Sequence, residues 1–323
     1  MNKKQKLGQY FTTTNIFNDE PLKIWSNEIP NWKTQSLLEP FAGACDILNY
    51  FPNREWTCFD IESIKKNVKY RDTIKDFPKG FDVCITNPPY LAKNRISRLK
   101  QKIELKYEDL YLDALEQCLD NCKYVSVIIP STFIGCSKMK ERCLIIDKID
   151  KVVFSDTTNP VCVAYFVPYK VQKTLTFVNG KQVFLNFNNT PTNTSLDIKF
   201  NVYDGNYVLT AVDKKIKKIS INNDLENFDR KKYLKHTSRY CVLFKTNSTI
   251  NLKSINNFIE KWRDETQDYF LTSFKSPISS NEFYRKRMSF NQLKWIIEKS
   301  GCSNKSLLKW FISFITCYFN GII

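Results

Sequence analysis

Phe81-Asp82-Val83-Cys84-Ile85-Thr86-Asn87-Pro88-Pro89-Tyr90 is the stretch that decides how this chain of 323 residues is read. Phe81 to Thr86 is a short apolar run whose Phe, Val and Ile suit a buried pleated surface, so it predicts a strand with little exposed face. Pro88 and Pro89 lack the N–H that a ladder needs, and the strand has to stop before them. An amide side chain, stiff backbone carbonyls and an aromatic ring are thereby held at the carboxyl end of a strand, which is where open α/β sheets bind ligands.

The same punctuation recurs outward from this point. Ser36 to Pro40 predicts a first strand ending at a proline, Trp56 to Ile61 a second, and Val125 to Pro130 another with a proline stop. Residues 1–20 read as an extended arm, Phe41 to Asp46 as a small-residue turn, and Ile47 to Phe51 as the opening of a short helix. Leu110, Leu112, Leu115, Cys118 and Leu119 put helical spacing into Tyr107–Leu119. A further helix is predicted over Ser137–Ile146, with strands at Val152–Phe154 and Val161–Val167. Strands alternating with helices predict an α/β domain, Rossmann-like, with a mostly parallel, doubly wound sheet.

Past about residue 170 the texture changes. Asn, Thr and Lys become frequent, Asn179-Gly180 and Asp204-Gly205 are hairpin-turn signals, and helical patterns return at 250–263, 289–300 and 305–319. A boundary at 168–172 is expected, separating residues 1–170 from a smaller mixed α+β domain at 171–323.

The formal net charge is +16, and 42% of residues are hydrophobic, enough for a real core. The charge is uneven: residues 1–170 carry 25 Lys+Arg against 21 Asp+Glu, and residues 171–323 carry 24 against 12. A polyanion, nucleic acid before an acidic membrane surface, is the natural partner, and the second half its main site. Eleven cysteines are scattered with no paired CxxC pattern and no signal peptide, pointing to a reducing cytoplasm or nucleus and away from a metal site. His236 is the only histidine, which argues against a Ser-His-Asp triad or a His-based zinc site. The apolar run Leu307–Ile323, interrupted by Lys309, Asn320 and Gly321, is short for a membrane span. It reads as a packed helix with Trp310, Phe311, Phe314 and Ile315 inward, and no membrane is expected.

Glu39-Pro40-Phe41-Ala42-Gly43-Ala44-Cys45 is a strand-to-helix turn whose glycine lets backbone approach a ligand. Asp60 ends the next strand 21 residues after Glu39, the spacing at which a doubly wound fold sets a carboxylate on a ribose hydroxyl. Asp60 and Glu62 read equally well as ordinary loop acids. With no GxGxxG and no Walker lysine, an adenosine-bearing ligand without phosphates fits better than a dinucleotide or a nucleoside triphosphate. The Asn87 amide oxygen and a neighbouring carbonyl could accept both N–H bonds of an exocyclic amino group, with a ring to stack on the base.

Over residues 5–168 these features resemble the S-adenosylmethionine-dependent N6-adenine DNA methyltransferases of the gamma arrangement, in which the cofactor motifs precede the catalytic motif and a target-recognition region follows. Lys6-Leu7-Gly8-Gln9-Tyr10-Phe11-Thr12-Thr13, Glu39 to Cys45, Phe59-Asp60-Ile61, Asn87-Pro88-Pro89-Tyr90 and Ile129-Pro130-Ser131-Thr132-Phe133 carry the resemblance, in the family's order. It implies that Tyr10, Phe11 and Thr12 surround the methionine end of S-adenosylmethionine, with Glu39 and Gly43 along it. It implies Asp60 on the ribose, Ile61 against the adenine and Asp72 on the adenine amino group. Asn87, Pro88 and Tyr90 become the catalytic set, Tyr90 stacking on a target base flipped out of the duplex. Double-stranded DNA is the implied partner and a restriction-modification pair the usual setting, with a cognate restriction endonuclease acting separately.

Two departures stand out. Cys45 replaces the usual second glycine, and Ser155 to Pro160 offers no ring for the far face of the flipped base, Phe154 reading as core. Three basic clusters are candidate DNA contacts: Lys93, Arg95 and Arg98; Lys232 and Arg239, interleaved with Tyr233 and Tyr240; and Arg285 and Arg287 beside Tyr284. The alternative function is an NPPY-type methyltransferase acting on RNA or on protein glutamine. A binding protein that kept the fold and lost catalysis is the remaining alternative.

Overall fold

The computed structural model describes residues 15–62, 65–98, 104–154, 159–186, 189–194, 196–213, 219–226, 241–277 and 284–301. The chain divides into two compact units, Met1–Phe184 with Lys275–Tyr284, and Leu185–Phe274 with Arg285–Ile323.

The first unit is built on a nine-stranded sheet in the order β3-β2-β1-β4-β5-β7-β6-β8-β9. Its strands are β1 (Leu37–Glu39), β2 (Trp56–Asp60), β3 (Val68–Tyr70), β4 (Val83–Thr86), β5 (Tyr124–Pro130), β6 (Cys143–Ile149), β7 (Val161–Phe166), β8 (Leu175–Val178) and β9 (Lys181–Gln182). β1 to β5 pair in parallel; β7 runs antiparallel to both β5 and β6. Strand order reverses between β1 and β4, so their carboxyl ends open on the crevice where doubly wound sheets place ligands. β4 and β7 are buried at every position, the expected state of inner strands covered on both faces. The α/β, mostly parallel character matches the expectation.

Among the described residues, helices are fewer than strand–helix alternation predicts. α1 (Asp19–Asn27) carries Asp19 and Glu20 in its first turn, favourable at the positive end of the helix dipole. Its Trp25 is fully buried, donates its indole N–H to the Phe166 carbonyl at 2.9 Å, and lies at 5.5 Å from Tyr165. α2 is Lys93–Arg98, and α3 (Leu110–Asn121) joins β4 to β5 with Leu110, Leu112, Leu115 and Cys118 buried as the spacing predicts. The β1–β2 connection contains only a 3₁₀ turn, Ile47–Tyr50.

Several expectations are corrected. The helix expected over Ser137–Ile146 gives way to β6, whose Ile145, Ile146 and Ile149 are buried between β7 and β8. A short apolar run does not reveal its period, and β-branched side chains favour the strand. Val152–Phe154 forms no strand, only single bridge positions at Lys151 and Phe154; Val153 and Phe154 are apolar because they are buried, not because they pair in a ladder. The arm expected over residues 1–20 becomes helical at Asp19. Asn179-Gly180 does turn the hairpin β8–β9, both residues at positive φ. Asp204-Gly205 does not turn a hairpin: the strands it joins, β10 (Lys199–Phe200) and β11 (Tyr207–Thr210), both pair with β13 (Cys241–Lys245), which lies between them. The nine-stranded sheet also runs past 168–172, since β8 pairs with β6.

The second unit holds an antiparallel sheet in the order β10-β13-β11-β12, β12 being Ser220–Asn222. α4 (Leu252–Thr266) buries Ile255, Ile259 and Trp262, spaced four and three apart on one face. Asn251 caps it by accepting the Ser254 N–H at 3.0 Å. α5 (Phe290–Gly301) buries Leu293, Ile296 and Ile297 in the same core. A third sheet pairs β14 (Thr272–Pro277) with β15 (Tyr284–Arg287). The helix expected at 305–319 lies outside the described residues, as does His236. No helix among the described residues is long and apolar enough to cross a membrane.

Candidate active site

The carboxyl ends of β1, β2, β4 and β5 converge on one cluster of polar groups. Glu39 ends β1 and is almost fully buried. Thr86, the last residue of β4, donates its hydroxyl to Glu39 Oε1 at 2.5 Å, and the Phe41 N–H reaches the same oxygen at 3.4 Å. Glu39 Oε2 is buried and, among the described residues, accepts no hydrogen bond. Loss of solvation pushes the Glu39 carboxyl up to about 8; the Thr86 hydroxyl and the backbone of Phe41 and Asn87 act the other way without overcoming it.

Asp60, at the end of β2, staples the glycine turn to the sheet. Its Oδ2 accepts the Gly43 N–H and its Oδ1 the Glu62 N–H, each at 2.8 Å. The Ala42 N–H bonds the Phe59 carbonyl at 2.9 Å, and Thr73 donates its hydroxyl to the Pro40 carbonyl at 2.8 Å. Burial raises the Asp60 carboxyl above its usual range. These backbone contacts orient the Asp60 carboxylate. The turn is left-handed at both Gly43 (φ 49°) and Cys45 (φ 62°). Cys45 therefore occupies a backbone position that favours glycine, and it does so with its side chain packed against Ala42, Cys58 and Val68. Ile61, next in line, is 45% exposed, an apolar surface beside the Asp60 carboxylate. Asp72 pairs with Lys75 at 3.0 Å on the loop that Thr73 ties to Pro40.

Asn87 is half-buried and Pro88 buried immediately after β4. Tyr90 is 5% exposed. Its ring meets those of Tyr111 and Phe154 edge-on, at 6.3 and 6.4 Å, and its hydroxyl lies 2.6 Å from Asn87 Oδ1 and 2.7 Å from the Ile128 carbonyl oxygen. The next residue is pinned as well: the Leu91 N–H bonds Asp109 Oδ1 at 2.9 Å, and Asp109 also caps α3. Phe154 is buried, as its core reading predicts.

The sequence reading missed Thr86, the partner of Glu39; its signal is a lone hydroxyl ending an otherwise apolar buried strand. It also missed Ile128, which acts through its carbonyl and leaves no side-chain signature. Tyr10, Phe11 and Thr12 lie outside the described residues, as do Lys232 and Arg239. Lys93 is exposed at the start of α2, and Arg95 and Arg98 fall on the same helix. On β15, Tyr284 and Lys286 are buried while Arg285 and Arg287 alternate with them and are half-buried. Arg287 lines a cavity of about 270 Å³ with Thr272, Ser289 and Phe290. Among the described residues, no group of three or more His, Cys, Asp or Glu is placed to hold a metal ion.

A buried polar atom without a partner is costly unless something supplies one, and Glu39 Oε2 is such an atom, with Asp60 and the apolar Ile61 one strand away.

Residues 5–159 match the model of the Eco57I restriction-modification methylase family. No curated protein matches the chain. Solved structures with similarity include a protein assigned as a class I S-adenosylmethionine-dependent methyltransferase from Listeria monocytogenes, 13% identical, with a TM-score of 0.38 over 56% of this chain and 68% of that one. The methyltransferase subunit of a type I restriction-modification system from Streptococcus thermophilus is 13% identical, with a TM-score of 0.39 over 56% of this chain and 49% of that one. The type IIG restriction endonuclease BpuSI is 15% identical, with a TM-score of 0.39 over 54% of this chain and 28% of that one. The matches thus span about half or less of the last two proteins.

Proposed function

We propose that this chain is a site-specific DNA methyltransferase that moves the methyl group of S-adenosylmethionine to adenine N6 in double-stranded DNA, the base being flipped out of the helix. Its place would be the modification side of a restriction-modification system. The observation that supports this best is the position of Asn87-Pro88: at the carboxyl end of β4, one strand from the buried Glu39 of β1, where strand order reverses. The family match over residues 5–159 supports the same reading.

S-Adenosylmethionine supplies a methyl group on a sulfonium, an electrophile that needs no covalent enzyme intermediate. Glu39 Oε2 is the acceptor for its ammonium end, Gly43 lets the backbone lie close, and Asp60 accepts from the ribose hydroxyls. Ile61 packs on the cofactor's adenine and Asp72 receives its amino group, while Tyr10, Phe11 and Thr12 close over the methionine end. Adenine N6 is a poor nucleophile because its lone pair is delocalised into the ring. Asn87 Oδ1 and the Pro88 carbonyl accept its two N–H bonds, draw the amino group out of the ring plane and localise the lone pair. Positioning and preorganised dipoles supply most of the barrier reduction.

The unit Met1–Phe184 with Lys275–Tyr284 would be the catalytic one, and the unit Leu185–Phe274 with Arg285–Ile323 the target-recognition one. Lys93, Arg95, Arg98, Lys232, Arg239, Arg285 and Arg287 are the candidate DNA contacts, Lys93 being exposed and Arg287 lining its cavity. The test is transfer of a labelled methyl group from S-adenosylmethionine to mixed-sequence duplex DNA, followed by nucleoside digestion. N6-methyladenine is the expected product. Label appearing in RNA or in protein glutamine, and none in DNA, would replace this reading with the alternative.

A further inference from the structure

The Tyr90 hydroxyl lies at hydrogen-bond distance from Asn87 Oδ1, 2.6 Å, and from the Ile128 carbonyl oxygen, 2.7 Å. Both are acceptors, and a phenol has one proton. Both contacts are satisfied together when the hydroxyl donates to Ile128 and accepts an N–H from the Asn87 amide, a half-turn that exchanges the amide oxygen and nitrogen. The carboxamide oxygen then lies on the side away from the tyrosine.

The tyrosine is a fixed post for this purpose. Its ring is buried and meets those of Tyr111 and Phe154 edge-on. Ile128 is an inner residue of β5, paired with β7 on one side, and Leu91 is held by Asp109. The hydroxyl thus connects a rigid strand to an amide on the loop after β4.

We infer that Tyr90 is a positioning residue: its hydroxyl, anchored on Ile128, sets the rotation of the Asn87 amide. This deepens the proposed function, since it rests on Asn87 as the group that grips the target amino group. It differs from a stacking role, which needs the ring and not the oxygen.

Tyr90→Phe separates the two, because it keeps the ring and its burial and removes only the oxygen. Single-turnover methyl transfer should slow by about 10- to 100-fold, the scale of a misplaced reacting group. The affinities for S-adenosylmethionine and DNA should stay unchanged. A wild-type rate for Tyr90→Phe would overturn the inference and leave stacking as the tyrosine's role. A second readout does not depend on turnover. The Asn87 side-chain amide resonance, assigned by its loss in Asn87→Ala, should exchange slowly with solvent in the wild type and faster in Tyr90→Phe. Equal exchange in the two proteins would overturn the inference even if the wild type methylates no DNA, a result that would by itself count only against the proposed function.

Discussion

At the scale of single residues, the site combines an amide that has to be oriented with a carboxyl that has to be neutralised. Asn87→Ala should lower methyl transfer by about 10²–10³-fold or more, the effect of removing one preorganised hydrogen-bonding group, while S-adenosylmethionine still binds. Loss of cofactor affinity with an intact transfer step, read by titration and single turnover, would move Asn87 out of catalysis. Glu39 makes a prediction about pH. Burial holds its carboxyl neutral up to about 8, against 4.5 in the unfolded chain. The folded state therefore keeps a proton that the unfolded state gives up. That contribution to stability is fully present below about 4.5 and is lost as pH rises through about 8, on the order of a few kcal/mol in all. Glu39→Gln should flatten this decline in denaturant melts taken across the range. It should also weaken the binding of cationic S-adenosylmethionine most at high pH, where the wild-type carboxylate is charged; equal affinities above pH 8 would show that Glu39 does not face the ammonium.

At the scale of elements, the same logic of buried charge organises the second unit. Arg263 of α4 bonds both oxygens of Asp213, at 3.0 and 2.8 Å, and both oxygens of Asp268, at 2.7 and 2.8 Å. The guanidinium is mostly buried, and the two carboxylates hold it charged more firmly than in water. Asp213 follows the segment that bridges to β15, with its N–H on the Lys286 carbonyl at 3.0 Å. The helix, the chain after β11 and the strand that carries Arg285 and Arg287 are thus joined through one guanidinium. Removing it takes the shared cation from Asp213 and Asp268, and Arg263→Ala should cost about 3–5 kcal/mol of stability. A melt of the second unit's core unchanged by this substitution would show that the pair contributes no more than an exposed ion pair does.

At the scale of the whole molecule, the charge of +16, concentrated after residue 170, predicts a partner bound through phosphates. DNA binding should weaken by more than about tenfold between about 50 and about 200 mM salt, because each neutralised phosphate releases a counterion. A flat response would point to a substrate without a phosphate backbone. Mutation of Arg287 and a salt series together would tell whether its cavity contributes to this response.

Much of this was legible in the chain itself. The strand before Asn87 had to end at Pro88, because proline lacks an N–H, and β1, β2, β4, β5 and β7 could all be read from short apolar runs bounded by prolines and turns. So could Glu39 and Asp60 as strand-end acids, the apolar positions of α3 and the helical pattern of α4. These features are local: they depend on the geometry of a few consecutive residues. What only the tertiary structure decided depends on neighbours distant in sequence. Cys143–Ile149 became a strand because β7 and β8 flank it, and Asp204-Gly205 failed as a hairpin turn because β13 inserts between the strands it joins. Thr86 became the partner of Glu39 because β1 and β4 lie side by side. Tyr90 met the Ile128 carbonyl, which no side-chain pattern can encode, because β5 follows β4 in the sheet. Backbone acceptors and cross-strand neighbours leave no trace in residue identity, so the orientation of the site's groups was settled by packing alone.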